Sequence, residues 1–438
     1  MKWRLELVRA PRFVQREFAY WTRARRLERL FKRAMVMITI ALLALVTATS
    51  QLGRTKVVEF ATSARWAVQG LVGLEPDRGE IDSRWRARRE LGVALTRPAL
   101  RRAFDQAEPG LQKLMIYSGL DPEHALLRWG NFDRTLLLPS TTFEADDRGR
   151  SYRLKPNVRS VWLRHITLKE GVLGFFLVPD RPELPAAMEG SGAIRVDGSE
   201  QSTNSWGCRG PEPNPNATLR GLVLGDSFMQ ALFIGDNDVP SENLRRLLHD
   251  HYHVDVSILN TGVLGYSPEQ YYYSMIEYFD RIKPQFVIMS VFANDFGNEF
   301  EVIEGGGDRD EARYWFGEIA QFCRTRGVLQ LTVPVPFEMQ LASARKEGYY
   351  PGIVSNLSQT TGLTYVNPIE SFVNTHLKKT AERIRAKQPT VNSPLFNGEI
   401  ADGHFSPLGS KVWADVVGER LILLLDRLKL TGRLKISL

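Results

Sequence analysis

Five short apolar runs punctuate the second half of the chain. They are RGLVLG (220–225), VDVSILNTG (254–262), QFVIMSVF (285–292), VLQLTVPV (328–335) and TYVNP (364–368). Between them lie stretches with apolar residues at helical spacing: SENLRRLLHDHY, SPEQYYYSMIEYFDRI, EARYWFGEIAQFCRTR and residues 372–386. A last one runs from Pro407 to about Leu428. Strands that are apolar throughout and alternate with helices predict a parallel sheet covered on both faces. The expected architecture over residues 216–438 is therefore a three-layer α/β/α sandwich around a five-stranded parallel sheet.

The pattern differs upstream. Residues 131–215 read as strands and turns: TLLLPSTTF, SYRLKPNV, SVWLRHITL and GVLGFFLVP, with Gly and Pro between them. This predicts a β-rich accessory region. Residues 54–130 read as mostly helical, a stalk or small subdomain interrupted at Pro98 and Pro109. Before them, residues 34–53 (AMVMITIALLALVTATSQLG) carry no charge. At ~1.5 Å rise per residue, a helix of this length covers about 30 Å, the hydrocarbon thickness of a bilayer. A transmembrane helix is expected, with a cleaved signal peptide as the competing reading.

Charge sharpens that expectation and removes another. The chain carries 57 Lys/Arg and 50 Asp/Glu, a net charge of +7. Residues 1–33 hold eleven of the basic residues and three of the acidic ones, net +8, so the remaining 405 residues are net −1. A nucleic-acid surface on the main body thus loses its support from charge, and a nucleic-acid partner is not expected. A basic flank before an apolar span places residues 1–33 in the cytoplasm and the domain beyond the membrane. Val14, Phe18, Trp21, Leu27, Leu30 and Phe31 share roughly one helical face. The basic segment is thus either a headgroup-binding helix or a purely topogenic stretch. Two cysteines, Cys208 and Cys323, exclude a disulfide-stapled scaffold; they either pair or remain thiols.

In a parallel α/β sheet, ligands bind beyond the carboxyl ends of the strands. The first strand is followed by Gly225-Asp226-Ser227-Phe228, and the second by Asn260-Thr261-Gly262-Val263-Leu264-Gly265-Tyr266-Ser267. The third is followed by Phe292-Ala293-Asn294-Asp295. Asp402-Gly403-His404-Phe405-Ser406-Pro407 precedes the last helix. A Ser at such a turn serves as a helix N-cap or as a nucleophile. Nucleophilicity needs a base, and His404 is the one on offer. Asp402 can orient the imidazole. The backbone N–H groups of Ser227 and Gly265 and the side-chain amide of Asn294 can hold an oxyanion. His249, His251 and His253 straddle a helix end with no matching ligand set, so no metal is expected, and no cofactor. Tyr271, Tyr272 and Tyr273 alternate between core and surface or line a groove. Residues 304–309 (EGGGDR) read as a solvated loop.

The order GDSF, NTGVLGYS, FAND, DGHFSPLG resembles the SGNH/GDSL hydrolase family over about residues 216–430. The segment Asn204-Ser205-Trp206-Gly207-Cys208-Arg209-Gly210-Pro211 resembles the N-x-x-G-F-R-G lead-in of membrane-linked bacterial members. The resemblance implies a flavodoxin-like fold, Ser227 as nucleophile, Gly265 and Asn294 as oxyanion donors, His404 as base and Asp402 as its acid. The sequence departs from the family pattern in two places. Ala401 stands where many members carry Asp, so the pair is D-x-H, a spacing similar to that of alginate-type O-acetyltransferases. Ala293 stands where Gly is commoner. The expected activity is that of an extracytoplasmic serine esterase or deacetylase on an acylated cell-envelope glycan or lipid. The alternatives are an O-acyltransferase using a polysaccharide hydroxyl and a non-catalytic membrane-anchored scaffold. The expected location is the bacterial inner membrane, single-pass.

Overall fold

The chain divides into two compact units, Met1–Ala87 and Arg88–Leu438. The computed structural model describes residues 96–431 of the second, apart from 131–133, 165–174, 297–308, 343–348, 389–391 and 398–402. The basic segment 1–33, the apolar span 34–53, the 304–308 part of the Gly-rich loop and Asp402 lie outside the described residues. Among the described residues, no helix is long and apolar enough to cross a membrane.

The accessory region opens with helical residues 96–105 and helix α1, Pro109–Ser118. Eight strands follow: β1 (Leu126–Gly130), β2 (Arg134–Leu138), β3 (Phe143–Asp146), β4 (Ser151–Leu154), β5 (Arg159–Arg164), β6 (Phe175–Pro179), β7 (Ile194–Arg195) and β8 (Gln201–Ser202). All their pairings are antiparallel. Strand β1 falls inside the 54–130 stretch whose composition reads as helical. Its residues pair with β2, Leu126 opposite Leu138, and that partnership overrides local propensity.

Strands β5 and β6 show why this region is not a separate body. Side chains alternate across a strand. Val161, Leu163, Phe176 and Val178 face one way, into a small core with Leu100, Leu111, Leu114 and Met115. Trp162 and Leu177 face the other way, into the main core of the α/β domain. The hairpin is therefore covered on both sides, by helices on one and by the α/β sheet domain on the other.

That domain is built on β9 (Leu219–Leu224), β10 (Val256–Asn260), β11 (Phe286–Val291), β12 (Leu329–Pro334) and β13 (Thr364–Tyr365). They form one parallel sheet in the order β10-β9-β11-β12-β13. Every residue of β10 and β11 is buried, which explains their unbroken apolar runs. The order reverses at β9, so a crevice opens beyond the carboxyl ends of β9 and β11. Strand β10 lies at the sheet edge yet is buried, because residues 209–214 run beside it. Arg209 bridges Asn260, and the Asn214 N–H donates to Ser257 Oγ at 3.0 Å.

The helices match the periodic stretches. After the one-turn helix α2 (Ser227–Gln230) come α3 (Pro240–Tyr252), α4 (Pro268–Ile282) and α5 (Arg309–Thr325). Then come α6 (Tyr349–Thr361), α7 (Ile369–Arg385) and α8 (Pro407–Leu430). Helix α4 starts at a capping box of Ser267 and Gln270. Helix α6 has no counterpart in the sequence pattern, since Pro351 and Gly352 interrupt its first turn. Burial of Ile353, Val354 and Leu357 in the main core holds it.

Candidate active site

The chain leaves β9 through Gly225 and turns sharply into α2. A Cβ at Gly225 would lie 2.3 Å from Met229 Cγ, so the helix folds back against the strand end. Asp226 caps the turn, its carboxylate accepting from the Phe228 N–H at 3.0 Å. Ser227 follows as the first helical residue, nearly buried at 5% exposure. Beyond α2, Ala231 and Phe233 adopt left-handed φ angles of 58° and 66°. The buried Arg209 holds this path. Its guanidinium donates to the carbonyls of Gln230, Ala231 and Ile234 and pairs with Asp236 at 3.3 Å. Burial pulls its pKa down to about 10, with Asp236 opposing.

His404 arrives from the far end of the chain, ahead of α8. Its Nε2 lies 2.8 Å from Ser227 Oγ. Phe228 tilts against its ring at 4.6 Å, and Phe233 meets it edge-on at 6.2 Å. The segment is pinned where Asn397 N–H donates to the His404 carbonyl at 2.8 Å and Ser406 N–H to Leu395 at 3.0 Å. The structure thus brings together Ser227 and His404, 177 residues apart. Asp402, the expected orienting acid, is outside the described residues.

The two expected oxyanion donors besides the Ser227 N–H sit beyond the ends of β10 and β11. Gly265 follows β10 with φ +74°, a left-handed value that suits glycine. Asn294 lies in a 3-10 turn, Ala293–Asp295, directly after β11. Its amide donates to the Asp226 carboxylate. Behind it, Asp295 accepts from Phe292 N–H at 2.8 Å and from the Tyr271 hydroxyl at 2.9 Å.

Two carboxyls, Asp226 and Asp295, are thus fully buried behind the site. Burial pushes Asp226 up to about 6. The Phe228 N–H, the charge of His404 and the Asn294 amide all work the other way. Asp295 is raised well above the ordinary range by burial and then by the Asp226 charge. Sequence reasoning named both residues as flanks of Ser227 and Asn294 but assigned them no role. Nor did it single out Arg209, Gln230 or Tyr152. Their only signal was membership of a lead-in motif, a post-serine turn and an alternating strand.

Other candidates resolve structurally. Tyr271 is core, with its hydroxyl on Asp295. Cys208 and Cys323 are buried free thiols. His249 Nδ1 lies 2.7 Å from the Val254 carbonyl oxygen. Among the described residues, no cluster of His, Cys, Asp and Glu is arranged to hold a metal ion. A cavity of about 930 Å³ opens beside the His404 segment. Phe233, Phe396 and Asn397 line it from the α/β domain, and Arg164, Ile194 and Arg195 from the accessory strands.

The α/β domain has a fold that recurs among solved structures. The chain is similar to the acetyl xylan esterase AlAXEase, at 16% identity and a TM-score of 0.35, covering 46% of this chain and 100% of that one. It is similar to TesA at 16% identity and a TM-score of 0.36, covering 47% and 99%. The psychrotrophic esterase EstA from Pseudoalteromonas sp. matches at 12% identity and a TM-score of 0.34, covering 47% and 98%. These likenesses concern the fold and span about half of this chain. No family model and no curated protein matches it.

Proposed function

We propose that this protein is an SGNH/GDSL-type serine ester hydrolase. The observation that carries the reading is the 2.8 Å contact between His404 Nε2 and Ser227 Oγ at the sheet's switch point. Gly265 and Asn294 stand at the two adjoining strand ends. His404 takes the hydroxyl proton as Ser227 Oγ attacks the ester carbonyl. The carbonyl oxygen gathers negative charge, which the Ser227 and Gly265 N–H groups and the Asn294 amide stabilise. Collapse of the tetrahedral adduct expels the alcohol, which receives the proton from His404 and leaves an acyl-serine. Water, deprotonated by the same imidazole, then releases the acid. Asp402, two residues before His404, is the proposed orienting acid.

The substrate class we infer is an acylated cell-envelope glycan or lipid, processed outside the cytoplasm by a domain tethered through residues 34–53. The charge pattern of the N-terminus supports that location. A sugar hydroxyl in place of water as the acceptor would make the same chemistry an acyl transfer. Hydrolysis of p-nitrophenyl acetate by the wild-type chain and by Ser227→Ala tests the core of the reading. Activity should vanish in the variant, together with fluorophosphonate labelling at Ser227. Undiminished hydrolysis by Ser227→Ala would overturn it and favour a non-catalytic scaffold or another nucleophile.

A further inference from the structure

Tyr152 sits on β4, in the accessory region, and its hydroxyl donates to the carbonyl oxygen of Leu264 at 2.5 Å. That carbonyl shares one peptide group with the N–H of Gly265. A trans peptide is planar, so its C=O and N–H point in opposite directions, and holding one aims the other. The neighbouring peptide is held as well: Leu264 N–H donates to Gln230 Oε1 at 2.7 Å, and Gln230 belongs to the Ser227 turn.

Tyr152 is itself immobilised. Its side chain is fully buried, edge-on to Phe143 at 6.3 Å and to Tyr266 at 5.3 Å. The Tyr266 hydroxyl returns a bond to the Tyr152 backbone carbonyl at 2.5 Å, so the two tyrosines lock strand and loop reciprocally. The packing leaves no room at the loop. A Cβ on Gly265 would come within 2.4 Å of Leu136 Cδ1 and 2.9 Å of Tyr152 Oη, both from accessory strands.

We propose that Tyr152 is a positioning residue for the oxyanion hole. Its hydroxyl fixes the Leu264–Gly265 peptide so that the Gly265 N–H faces the oxygen that becomes charged when Ser227 attacks. The inference rests on Ser227 being the nucleophile, and it gives the β-rich region a part in the reaction. Tyr152 touches no reacting atom and acts only through the peptide it holds.

The test is Tyr152→Phe in the full chain, which keeps the ring and removes only the hydroxyl. Loss of an oxyanion donor typically lowers kcat by about 10²–10³, and a misaimed donor should lower it by roughly ten- to a hundredfold. KM for p-nitrophenyl acetate should stay close to wild type. Affinity for an alkyl boronic acid, whose serine adduct carries the tetrahedral oxyanion, should fall by the same factor as kcat. Tyr278→Phe removes another buried hydroxyl, one that donates to the Trp206 carbonyl away from this loop, and it should leave kcat near wild type. Wild-type kcat in Tyr152→Phe would overturn the proposal. So would a loss confined to KM, an unchanged boronic acid affinity, an equal loss in Tyr278→Phe, or a Tyr152→Phe chain that no longer folds. Ser227→Ala, assayed alongside, separates the two readings. If it is inactive while Tyr152→Phe is normal, only the positioning role fails; if it is active, the nucleophile assignment fails.

Discussion

Replacing Asp226 by Asn should make the protein more stable and less active at once. In the folded chain this carboxyl is fully buried and its pKa is pushed up to about 6, against an ordinary aspartate value of 3.8. At about 1.4 kcal/mol per pH unit between the two values, ionised Asp226 disfavours the native state by about 3 kcal/mol. Between pH 4 and 6 the folded chain binds a proton that the unfolded chain has released. Stability therefore falls as pH rises through that window, and the whole loss is in place above about pH 6. Asn carries no charge and escapes the loss, while its carbonyl still accepts from the Phe228 N–H. Asp226→Asn should accordingly gain up to about 3 kcal/mol over wild type at pH 7.5, a gain that fades toward pH 4. Activity should move the other way, because Asn lacks the negative charge that stabilises the imidazolium formed when His404 takes the Ser227 proton. A fall in kcat of at least tenfold is expected, short of the roughly 10²–10³ for deleting a donor outright. Urea melts of both chains from pH 4 to 8, with kcat measured at pH 7.5, check both halves. A stability difference that stays flat across that range would refute the buried-carboxylate account.

Two further outcomes are expected. Asn294→Ala removes the proposed oxyanion donor, so kcat should drop by about 10²–10³ with little change in KM; a loss confined to KM in steady-state assays would recast Asn294 as a substrate-binding residue. A reporter enzyme that works only outside the cytoplasm, fused after Leu438, should be active in bacteria, given the +8 segment ahead of Ala34. Activity of a cytoplasm-dependent reporter at that position would reverse the orientation and remove the envelope substrate.

The parallel sheet was legible because burial on both faces writes itself as unbroken apolar runs. Four of the five strands fall within the runs that announced them, and β9 starts one residue ahead of its run. The helices facing it showed their period for the same reason, except α6, where Pro351 and Gly352 hide the pattern. The positions of Ser227, Gly265 and Asn294 beyond strand ends were legible from short-range cues, and so was the approach of His404 to Ser227. What stayed hidden depends on pairing across distance. Tyr152 alternates in its strand like any core aromatic, and nothing local records that its hydroxyl reaches a carbonyl 112 residues away. Arg209 likewise reads as one more basic residue until the fold buries it against three carbonyls. The carboxyls of Asp226 and Asp295 look like ordinary turn residues, because their burial is a property of the layers closing over them.

The covered edge of β10 bears on how this protein can be cut. An exposed strand edge offers a row of unsatisfied N–H and C=O groups to any neighbouring chain. Here residues 209–214 lie along that edge, with Arg209 bridged to Asn260 and Asn214 bonded to Ser257. A fragment started at residue 216, where the composition suggests a tidy boundary, would strip this guard from Val256–Asn260. Two such fragments could zip edge to edge, and aggregation rather than loss of catalysis would be the first symptom. The segment that leads into the α/β domain is thus also the cover on its sheet edge.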